Sequence, residues 1–342
     1  MRAARIAQKG TVEIISTPEP APGPGEVLVR VIECGICGSD LHVYRGEWSA
    51  GSKIGHEICG VVERAGPDVA GLPPGTRVCA ECFSHCGACR FCRRGDYNLC
   101  EAISFLPGIE HSGFAEKATL PAQALYRAPE SLSDAQVMLV EPTAVAFRAV
   151  SRAGAGPGAS LAVLGAGTIG LLCAAVARAA GASPVAVAAK HPHQAQMAEA
   201  LGADFVVRIG EKSATQALTE AAAGRGFDAA VDTVARGASF STALAAVRRR
   251  GRVVLVGGVT RPLLLNAGPL EDRELEVTGS QCYALTNGKP DFQSAIELIE
   301  SGRVPAANLV THTMPLEGAG EAFRIANDKS SGAIKVAVRM SD

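Results

Sequence analysis

The sequence has almost no net charge, no long hydrophobic run and no leader-like start. Its 33 Lys and Arg residues nearly balance 34 Asp and Glu, giving a net charge of −1. No excess of positive charge therefore favours binding to nucleic acid or to an anionic membrane. No run of about 18 apolar residues appears, so we expect no membrane-spanning helix. The start, MRAARIAQKG, lacks the apolar core of a signal peptide, and we therefore expect a cytoplasmic protein.

Cysteine is plentiful by contrast, with eleven in 342 residues. In a cytosolic protein, clustered cysteines more often bind metal or take part in catalysis than form disulfides. The odd number favours the same interpretation. Hydrophobic residues make up 47% and charged residues 20% of the chain, which is typical of a globular protein with ample material for a core. The length suggests two domains.

The chain contains two different patterns of predicted secondary structure, one after the other. The first 145 residues contain short strand candidates broken by Gly and Pro, such as EVLVRVIEC and EICGVVERAG. From about residue 158, strand candidates alternate with Ala-rich helical stretches, and this alternation predicts a doubly wound parallel sheet. The six strand candidates are SLAVLG, PVAVAA, DFVVRI, DAAVDTV, RVVLVG and ELEVTG. After SQCY the pattern changes again, to an amphipathic helix (PDFQSAIELIESGRV) and a final strand (AIKVAVRM).

Four cysteines in HCGACRFCRRGDYNLC predict a metal site. They are separated by two, two and seven residues. Bacterial ferredoxins have three residues before the fourth cysteine and a proline after it, whereas seven residues and Glu101 stand here. Four thiolates without a fifth ligand form a closed site that substrate cannot reach, so we predict structural zinc. The alternative is four buried cysteines without a metal. The predicted ligands are Cys86, Cys89, Cys92 and Cys100, and we assign no role to Cys79, Cys82 or His85.

A second group of possible ligands lies upstream, in CGICGSDLHVYRG and GHEICG. Cys37, His56 and Glu57 offer a thiolate, an imidazole and a carboxylate. A catalytic zinc takes three protein ligands and leaves its fourth position for water or substrate. A His-Glu pair alone is usually a surface or core pair. Its combination with CGICGSD and the four-cysteine loop favours catalytic zinc.

A glycine motif, GAGTIG, follows the strand SLAVL and opens the helix TIGLLCAAVARAA. This is the context that a dinucleotide-binding turn requires. The first Gly makes the turn, the second admits the pyrophosphate, and the third packs helix on strand. We assign the motif to cofactor binding through Gly165, Gly167, Thr168, Ile169 and Gly170. Ligands bind at the carboxyl edge of such a sheet, so further nicotinamide-lining candidates follow later strands, namely Val234, Gly257, Ser280 and Cys282.

Together these motifs resemble the zinc-dependent medium-chain dehydrogenases of the alcohol dehydrogenase superfamily, over essentially the whole chain. The chain is most similar to the polyol, threonine and sugar dehydrogenase branch, in which Glu follows the ligand His, as Glu57 follows His56. In that branch Glu-Pro also stands where other alcohol dehydrogenases carry a second ligand Cys, here Glu141 in VEPTAVAFRAV. The resemblance implies that Cys37, His56 and Glu57 bind catalytic zinc. Glu141 would be a fourth, intermittent ligand or hold the zinc-bound water, and Asp40 would orient His56.

The same resemblance implies an α/β fold with two kinds of domain. A mainly-β, GroES-like catalytic domain would span residues 1–145. A Rossmann cofactor-binding domain would follow at 146–285, and the chain would return to the catalytic domain at 286–342. A homodimer or homotetramer is also implied.

A proton relay is implied as well. Zinc lowers the pKa of a coordinated hydroxyl group, as it lowers that of water to about 7. Ser39 would take the released proton, and His42 would pass it to solvent through the cofactor ribose. Their three-residue spacing puts them on one face of a helical turn. The plainer alternatives are a helix N-cap for Ser39, a surface position for His42, and turn or cap roles for Asp40 and Glu141.

The cofactor preference is predicted from the end of the strand PVAVAA. An NAD-preferring domain carries Asp or Glu about 20 residues beyond the glycine motif, where it binds the ribose 2′-hydroxyl. Ala189 stands there, followed by Lys190 and His191. A missing carboxylate removes the repulsion of a 2′-phosphate, and Lys190 supplies a charge that suits one. We predict NADP as the preferred cofactor, with NAD possible. The alternative is a solvated polar loop in a pocket that accepts both.

The predicted activity is the interconversion of a secondary alcohol (a polyol, sugar or amino alcohol) and a ketone, by hydride transfer with NAD(P). It requires one catalytic and one structural zinc. One alternative is a zinc-free quinone or enoyl reductase of the same superfamily, which has no need of Cys37, His56 or the four-cysteine loop. The other is a zinc-dependent, nucleotide-binding regulatory protein without turnover, against which the set Cys37, Ser39, His42, His56 and Glu57 argues.

Overall fold

The structure is a computed structural model that describes residues 1–49, 54–106, 112–210 and 213–340. In chain order, its strands are β1 (Arg2–Gln8), β2 (Thr11–Ser16), β3 (Glu26–Gly35), β4 (Glu57–Ala65), β5 (Arg77–Ala80), β6 (Phe83–Ser84), β7 (Ser104–Phe105), β8 (Lys117–Pro121), β9 (Leu125–Arg127), β10 (Leu161–Leu164), β11 (Val185–Ala189), β12 (Phe205–Arg208), β13 (Phe227–Asp232), β14 (Val247–Leu255), β15 (Glu276–Gly279), β16 (Leu285–Thr286), β17 (Lys289–Pro290), β18 (Val310–Pro315) and β19 (Lys335–Arg339).

The helices are mostly short. In chain order, they are α1 (Gly38–Tyr44), α2 (Arg90–Arg93), α3 (Asp134–Met138), α4 (Val140–Ala153), α5 (Thr168–Ala179), α6 (Pro192–Ala200), α7 (Ala214–Ala221), α8 (Gly237–Ala246), α9 (Gly268–Asp272), α10 (Asp291–Glu300) and α11 (Ala319–Asn327). None of the helices in the described ranges combines the length and the apolar composition that crossing a membrane requires.

The chain forms two compact units. The first comprises Met1–Glu141, Ala295–Glu300 and Ala306–Asp342, and the second comprises Pro142–Ser294 and Ser301–Pro305. The chain thus passes from the first unit to the second after Glu141, inside α4. The sequence analysis placed this boundary after residue 145. The return comes within α10 rather than after residue 285. A continuous helix carries no break in composition, so the sequence alone does not mark either point.

The first unit is built on a mainly antiparallel sheet in the order β18-β19-β3-β4-β5-β9, with β8 paired to β3. Strand β3 lies inside this sheet, and six of the nine residues of EVLVRVIEC are buried. In the register of β3 with β4, Gly35 is paired with Glu57. Cys37 therefore follows the end of β3 at the same sheet edge where His56 precedes β4. Strand β19 joins this edge, because its Ala337 is also paired with Gly35.

The second unit confirms the predicted doubly wound sheet. All six predicted strands are present, parallel, in the order β12-β11-β10-β13-β14-β15. Small buried alanines on β10, β11 and β13 let the helices pack closely against the sheet. Because the strands are parallel, their carboxyl ends meet at one edge. The glycine turn and the other predicted cofactor residues follow those ends.

Two glycines of the motif are required by the backbone. Gly165 has φ +99, a conformation that residues with a side chain rarely adopt. A Cβ atom on Gly170 would lie 1.8 Å from the carbonyl oxygen of Gly165. Gly167 differs, because a Cβ atom there would have no neighbour within 4 Å. The third glycine thus lets the start of α5 pack closely on the turn, whereas the space around the second is open.

We expect Gly170→Ala to destabilise the second unit, since α5 would have to move away from the turn. Overpacking of this kind costs about 1–3 kcal/mol, which lowers the melting temperature by several degrees. Gly279→Ala, where a Cβ atom would also have no neighbour within 4 Å, is the matched control and should melt close to the parent. Thermal unfolding followed by circular dichroism compares them, and equal melting temperatures for the two variants would refute the packing role of Gly170.

Candidate metal centres and cofactor site

The four predicted cysteine ligands converge in one cluster. The sulfur–sulfur distances are 3.9 Å for Cys86–Cys92, 3.6 Å for Cys89–Cys92, 3.9 Å for Cys89–Cys100 and 3.5 Å for Cys86–Cys100. Four sulfurs placed tetrahedrally about 2.3 Å from zinc lie about 3.8 Å apart. The donor set therefore fits tetrahedral zinc.

Backbone N–H groups favour the thiolate form of two cysteines of this cluster, Cys86 and Cys89, whereas burial raises the pKa of Cys92 to about 12. Cys86 Sγ accepts hydrogen bonds from the backbone nitrogens of Ala88, at 3.5 Å, and Cys89, at 3.3 Å, and these donors lower the pKa of Cys86. The backbone N–H groups of Cys92 and Glu101 lower the pKa of Cys89 to about 6. Hydrogen bonds to a charged form favour it, and the thiolate is the form that binds zinc.

Among the three residues to which the sequence assigned no role, His85 lies beside the cluster. Its Nδ1 is 3.8 Å from Cys92 Sγ, and its ring lies 4.6 Å from that of Tyr97. The Tyr97 hydroxyl in turn donates a 2.6 Å hydrogen bond to the buried carboxylate of Glu81. This chain of contacts anchors the cysteine loop to the chain that follows β5.

The second predicted group also converges. The ligand atoms of Cys37, His56 and Glu57 all lie within 4.8 Å of one another. The register of β3 with β4 explains this, because it places the three residues at one edge of the sheet. A thiolate, an imidazole and a carboxylate form a donor set suited to catalytic zinc, with one position left open.

Asp40 takes the cap role that the sequence offered as an alternative, and it also lies close to His56. It is fully buried in α1, and its Oδ2 accepts a 2.8 Å hydrogen bond from the backbone nitrogen of Cys37, as a capping residue does. Its Oδ1 accepts a 3.1 Å bond from Gly55 and lies 3.9 Å from Nδ1 of His56. Burial raises the pKa of Asp40 to about 6. The carboxylate thus stands behind the predicted ligand His56 and can orient its ring.

Lys335 is a residue of this site that the sequence analysis did not identify. Its Nζ lies 2.7 Å and 2.5 Å from the two carboxylate oxygens of Glu57 and donates a 2.9 Å hydrogen bond to the carbonyl of Ile36. Both charged side chains are at least 98% buried. Burial alone would lower the pKa of Lys335, but the charges of Glu57 and Cys37 raise it. The sequence feature that could have identified Lys335 is a lysine inside the otherwise apolar strand AIKVAVRM.

Glu141 lies in the first turn of α4 and is 4% exposed. Burial raises its pKa to about 7, against the attraction of His56. In the described residues, the group of ligand atoms that lie within 4.8 Å of one another does not include Glu141. Its part in zinc binding stays a prediction.

The two relay candidates lie on α1. The N-cap of this helix is Cys37, so the plainer interpretation of Ser39 as the N-cap is wrong. Ser39 Oγ is buried and has no hydrogen-bond partner in the part of the chain that the structure describes. The side chain of His42 is only 13% exposed, which disfavours a simple surface position.

The glycine motif opens α5, with Gly167 as its N-cap and Thr168 and Ile169 in its first turn. Ala189 ends β11 and is fully buried. Beyond it, Lys190 is exposed, and the half-buried His191 is the N-cap of α6. The β11–α6 turn therefore presents an ammonium and an imidazole where a carboxylate was expected for NAD.

Asp232, at the end of β13, shapes the next predicted cofactor segment. Its buried carboxylate accepts hydrogen bonds from the backbone nitrogens of Val234, at 2.9 Å, and Ala235, at 3.1 Å, and from Ser239 Oγ, at 3.0 Å. Burial raises its pKa. The bonds turn the chain so that Val234 is 41% exposed.

The remaining candidates have distinct local features. A Cβ atom on Gly257 would lie 2.8 Å from that of Ala235. Ser280 Oγ is buried and has no partner among the described residues. Cys282 has φ 46, which is unusual for a residue with a side chain. An unpaired hydroxyl beside a strained backbone, near the carboxyl end of β15, is consistent with a ligand-binding segment.

Two family models match this chain. The alcohol dehydrogenase GroES-like domain matches residues 23–130, and the zinc-binding dehydrogenase domain matches residues 168–301. The first confirms the predicted GroES-like domain, and the second agrees with the parallel sheet of the second unit. The chain belongs to the zinc-dependent medium-chain dehydrogenases.

Individual relatives show to which branch of this family the chain is most similar. Sorbitol dehydrogenase from Bacillus subtilis (strain 168) is 32% identical over 347 residues, covering 99% of this chain and 97% of the relative. L-threonine 3-dehydrogenase from Pyrococcus abyssi (strain GE5 / Orsay) is 38% identical over 255 residues, 72% of each chain. Both confirm the polyol and threonine branch.

A solved structure agrees with them. A putative zinc-binding dehydrogenase from Sinorhizobium meliloti 1021, solved with NADP bound, has a TM-score of 0.89 and 28% identity, covering 99% of this chain and 98% of the other. The protein is therefore a zinc-dependent oxidoreductase that interconverts small secondary alcohols and ketones with a nicotinamide cofactor. This disfavours both alternatives, the zinc-free reductase and the regulatory protein without turnover.

We expect Lys335→Met to lower the stability of the first unit, because it leaves the Glu57 carboxylate buried without its cation. Breaking a buried pair by removing one partner costs about 3–5 kcal/mol. Urea unfolding of the zinc-free proteins measures this loss. The double variant Lys335→Met/Glu57→Gln, which removes both charges, should recover part of it. A double variant no more stable than Lys335→Met would contradict the role of the pair.

Proposed function

We propose that this protein oxidises a polyol, sugar or amino alcohol with NADP and carries two zinc ions, one catalytic and one structural. The observation that carries the proposal is the presence of two different donor groups. One group is four sulfurs at tetrahedral spacing, and the other is Cys37, His56 and Glu57 with a position left open. The substrate class is supported by the similarity to sorbitol and threonine dehydrogenases.

The residues of the first unit would hold the catalytic zinc and remove a proton. Cys37, His56 and Glu57 are the proposed ligands, and Glu141 is a fourth, intermittent ligand or holds water. When bound, zinc polarises the substrate oxygen as a Lewis acid and the nicotinamide exchanges hydride with carbon. Lys335 competes for the Glu57 carboxylate and limits the negative charge at the open position.

Proton removal is assigned to Ser39 and His42. Ser39 Oγ is buried and has no partner among the described residues, so it is available to accept a hydrogen bond from a substrate hydroxyl. His42 lies three residues later on α1, on the same helical face. Its imidazole can take the proton and pass it to water.

The NADP preference rests on the turn after β11. Ala189 offers no hydrogen bond to a ribose 2′-hydroxyl and no repulsion of a 2′-phosphate. The exposed Lys190 and the neighbouring His191 can face that phosphate. The remaining assignments to the cofactor site, from Gly165 through Cys282, belong to this proposal. The first unit would be the catalytic domain and the second the cofactor domain.

Assembly and location stay predictions. We expect a homodimer or homotetramer, on the resemblance to the family, and a cytoplasmic location, in which the eleven free thiols of the chain stay reduced. No nucleic-acid or membrane partner is expected, because the net charge of −1 favours neither.

The two zinc sites can be separated by substitution. Cys37→Ala should abolish turnover and remove one zinc while the protein still folds with its four-cysteine loop intact, because this residue does not support that loop. Cys100→Ser should instead lower the melting temperature, because metal-binding energy is folding energy for that loop. Each variant controls for the other. Zinc analysis and activity with a panel that includes sorbitol and L-threonine measure both effects; substantial activity in Cys37→Ala, or parental stability in Cys100→Ser, would contradict the respective assignment.

The cofactor preference is tested at the β11–α6 turn. The parent should show a higher kcat/KM with NADP than with NAD. Ala189→Asp should shift the preference towards NAD, because the new carboxylate binds the 2′-hydroxyl and repels the 2′-phosphate. Lys190→Ala is the companion variant, and it should weaken NADP use while leaving NAD use unchanged. A parent that already prefers NAD by about tenfold, or 1.4 kcal/mol, would overturn the NADP assignment but not the zinc chemistry.

A further inference from the structure

The chain that follows α1 folds back onto the last turn of that helix. Gly46 adopts φ +69 immediately after the helix end, where a left-handed residue commonly ends a helix. The backbone nitrogens of Glu47 and Trp48 both donate hydrogen bonds to the carbonyl of His42, at 2.9 Å and 3.3 Å. This turn brings the side chains of Glu47 and Trp48 against the ring of His42.

Two contacts hold the His42 ring. The Glu47 carboxylate forms a hydrogen bond with Nδ1. The Trp48 ring stacks on the imidazole, with ring centres 4.7 Å apart and an interplanar angle of 29°. The side chain of Glu47 is 33% exposed, whereas that of His42 is 13% exposed. The ring is therefore held at one nitrogen and one face, and Nε2 is the nitrogen that the carboxylate does not engage.

We propose that Glu47 is a positioning residue of the proton relay, acting through His42. Its carboxylate accepts a hydrogen bond from Nδ1–H, which selects the tautomer whose Nε2 carries a lone pair. It also stabilises the imidazolium formed when Nε2 takes a proton. This inference rests on the proposed relay through Ser39 and His42.

The proton balance of the step is simple. One proton leaves the substrate hydroxyl group by way of Ser39 Oγ and reaches Nε2 of His42. That proton then leaves Nε2 for water, which restores the Nδ1–H tautomer that Glu47 holds. Glu47 stays ionised throughout, so only O–H and N–H bonds form and break, and no further reactant is needed.

A purely structural ion pair is the competing explanation. The turn is already closed by two backbone hydrogen bonds and by Gly46, so the fold does not depend on the carboxylate. The side chain of Glu47 is 33% exposed, and ion pairs close to solvent contribute little to stability. The seating of Glu47 against the one nitrogen that sets the tautomer favours a role in proton transfer.

The kinetic test uses the zinc-loaded full-length enzyme, NADP, and the panel alcohol with the highest kcat/KM. General acid–base groups contribute about 10²- to 10⁴-fold, and a residue acting through one should account for part of that. We expect Glu47→Ala to lower kcat about tenfold, with the KM for NADP unchanged. In a His42→Ala background, Glu47→Ala should cause no further loss. Glu321→Gln, which alters an exposed carboxylate paired with Arg324, is the matched control and should keep parental kcat.

A spectroscopic test reports on the ring without turnover. Nitrogen-15 NMR of His42 should show the Nδ1–H tautomer in the parent. Glu47→Gln, whose side-chain carbonyl can still accept the hydrogen bond, should keep this tautomer but lose the charge, and its kcat should fall less than that of Glu47→Ala. Glu47→Ala should shift the tautomer towards Nε2–H. Melting temperatures of all variants verify that they are folded. If Glu47→Ala does not fold, the isosteric Glu47→Gln replaces it in both tests.

The outcomes separate this inference from the relay itself. If Ser39→Ala and His42→Ala keep parental kcat, the relay is wrong and the role of Glu47 falls with it. If those two variants lose turnover while Glu47→Ala keeps both the parental kcat and the parental His42 tautomer, the relay stands and only the role of Glu47 is overturned. Additive losses in the double variant would also overturn it.

Discussion

The register of β3 with β4 is the constraint on which the proposed catalytic centre depends. Pairing Gly35 with Glu57 brings Cys37 and His56 to one sheet edge, although 19 positions separate them in the sequence. A slip of one residue would turn every side chain of β4 to the opposite face. Gly35 also leaves the space that this pairing needs, since a Cβ atom there would lie 2.0 Å from Glu57 Oε2.

Around this edge, burial and charge compete. The carboxylates of Asp40, Glu57 and Glu141 are almost fully buried, and one buried ammonium, that of Lys335, faces them. Burying an uncompensated charge is costly, and the raised pKa values of Asp40 and Glu141 express that cost. A divalent cation bound by Cys37, His56 and Glu57, as we propose, would offset part of this negative charge.

The four-cysteine loop and the glycine turn are organised over much shorter distances. The four-cysteine loop places its four sulfurs within 15 residues. The backbone N–H groups that donate hydrogen bonds to these sulfurs come from the same part of the chain. The glycine turn needs only the contact between Gly165 and Gly170 and the strand before it. In both cases residues close together in the sequence form the site, so their spacing was enough to predict it without the fold.

The sequence by itself determined the two domain types, the six parallel strands, the glycine turn and the residues of both candidate metal groups, because periodicity and short motifs report local structure directly. Only the tertiary structure brought Lys335 to Glu57 across 278 positions and left Ser39 Oγ buried without a partner. It also decided that α4 carries the change of unit and that Glu47 folds back on His42. A pattern shows that a residue is buried or charged but not which distant residue it meets, since the register of the strands and the path of the turns select that partner.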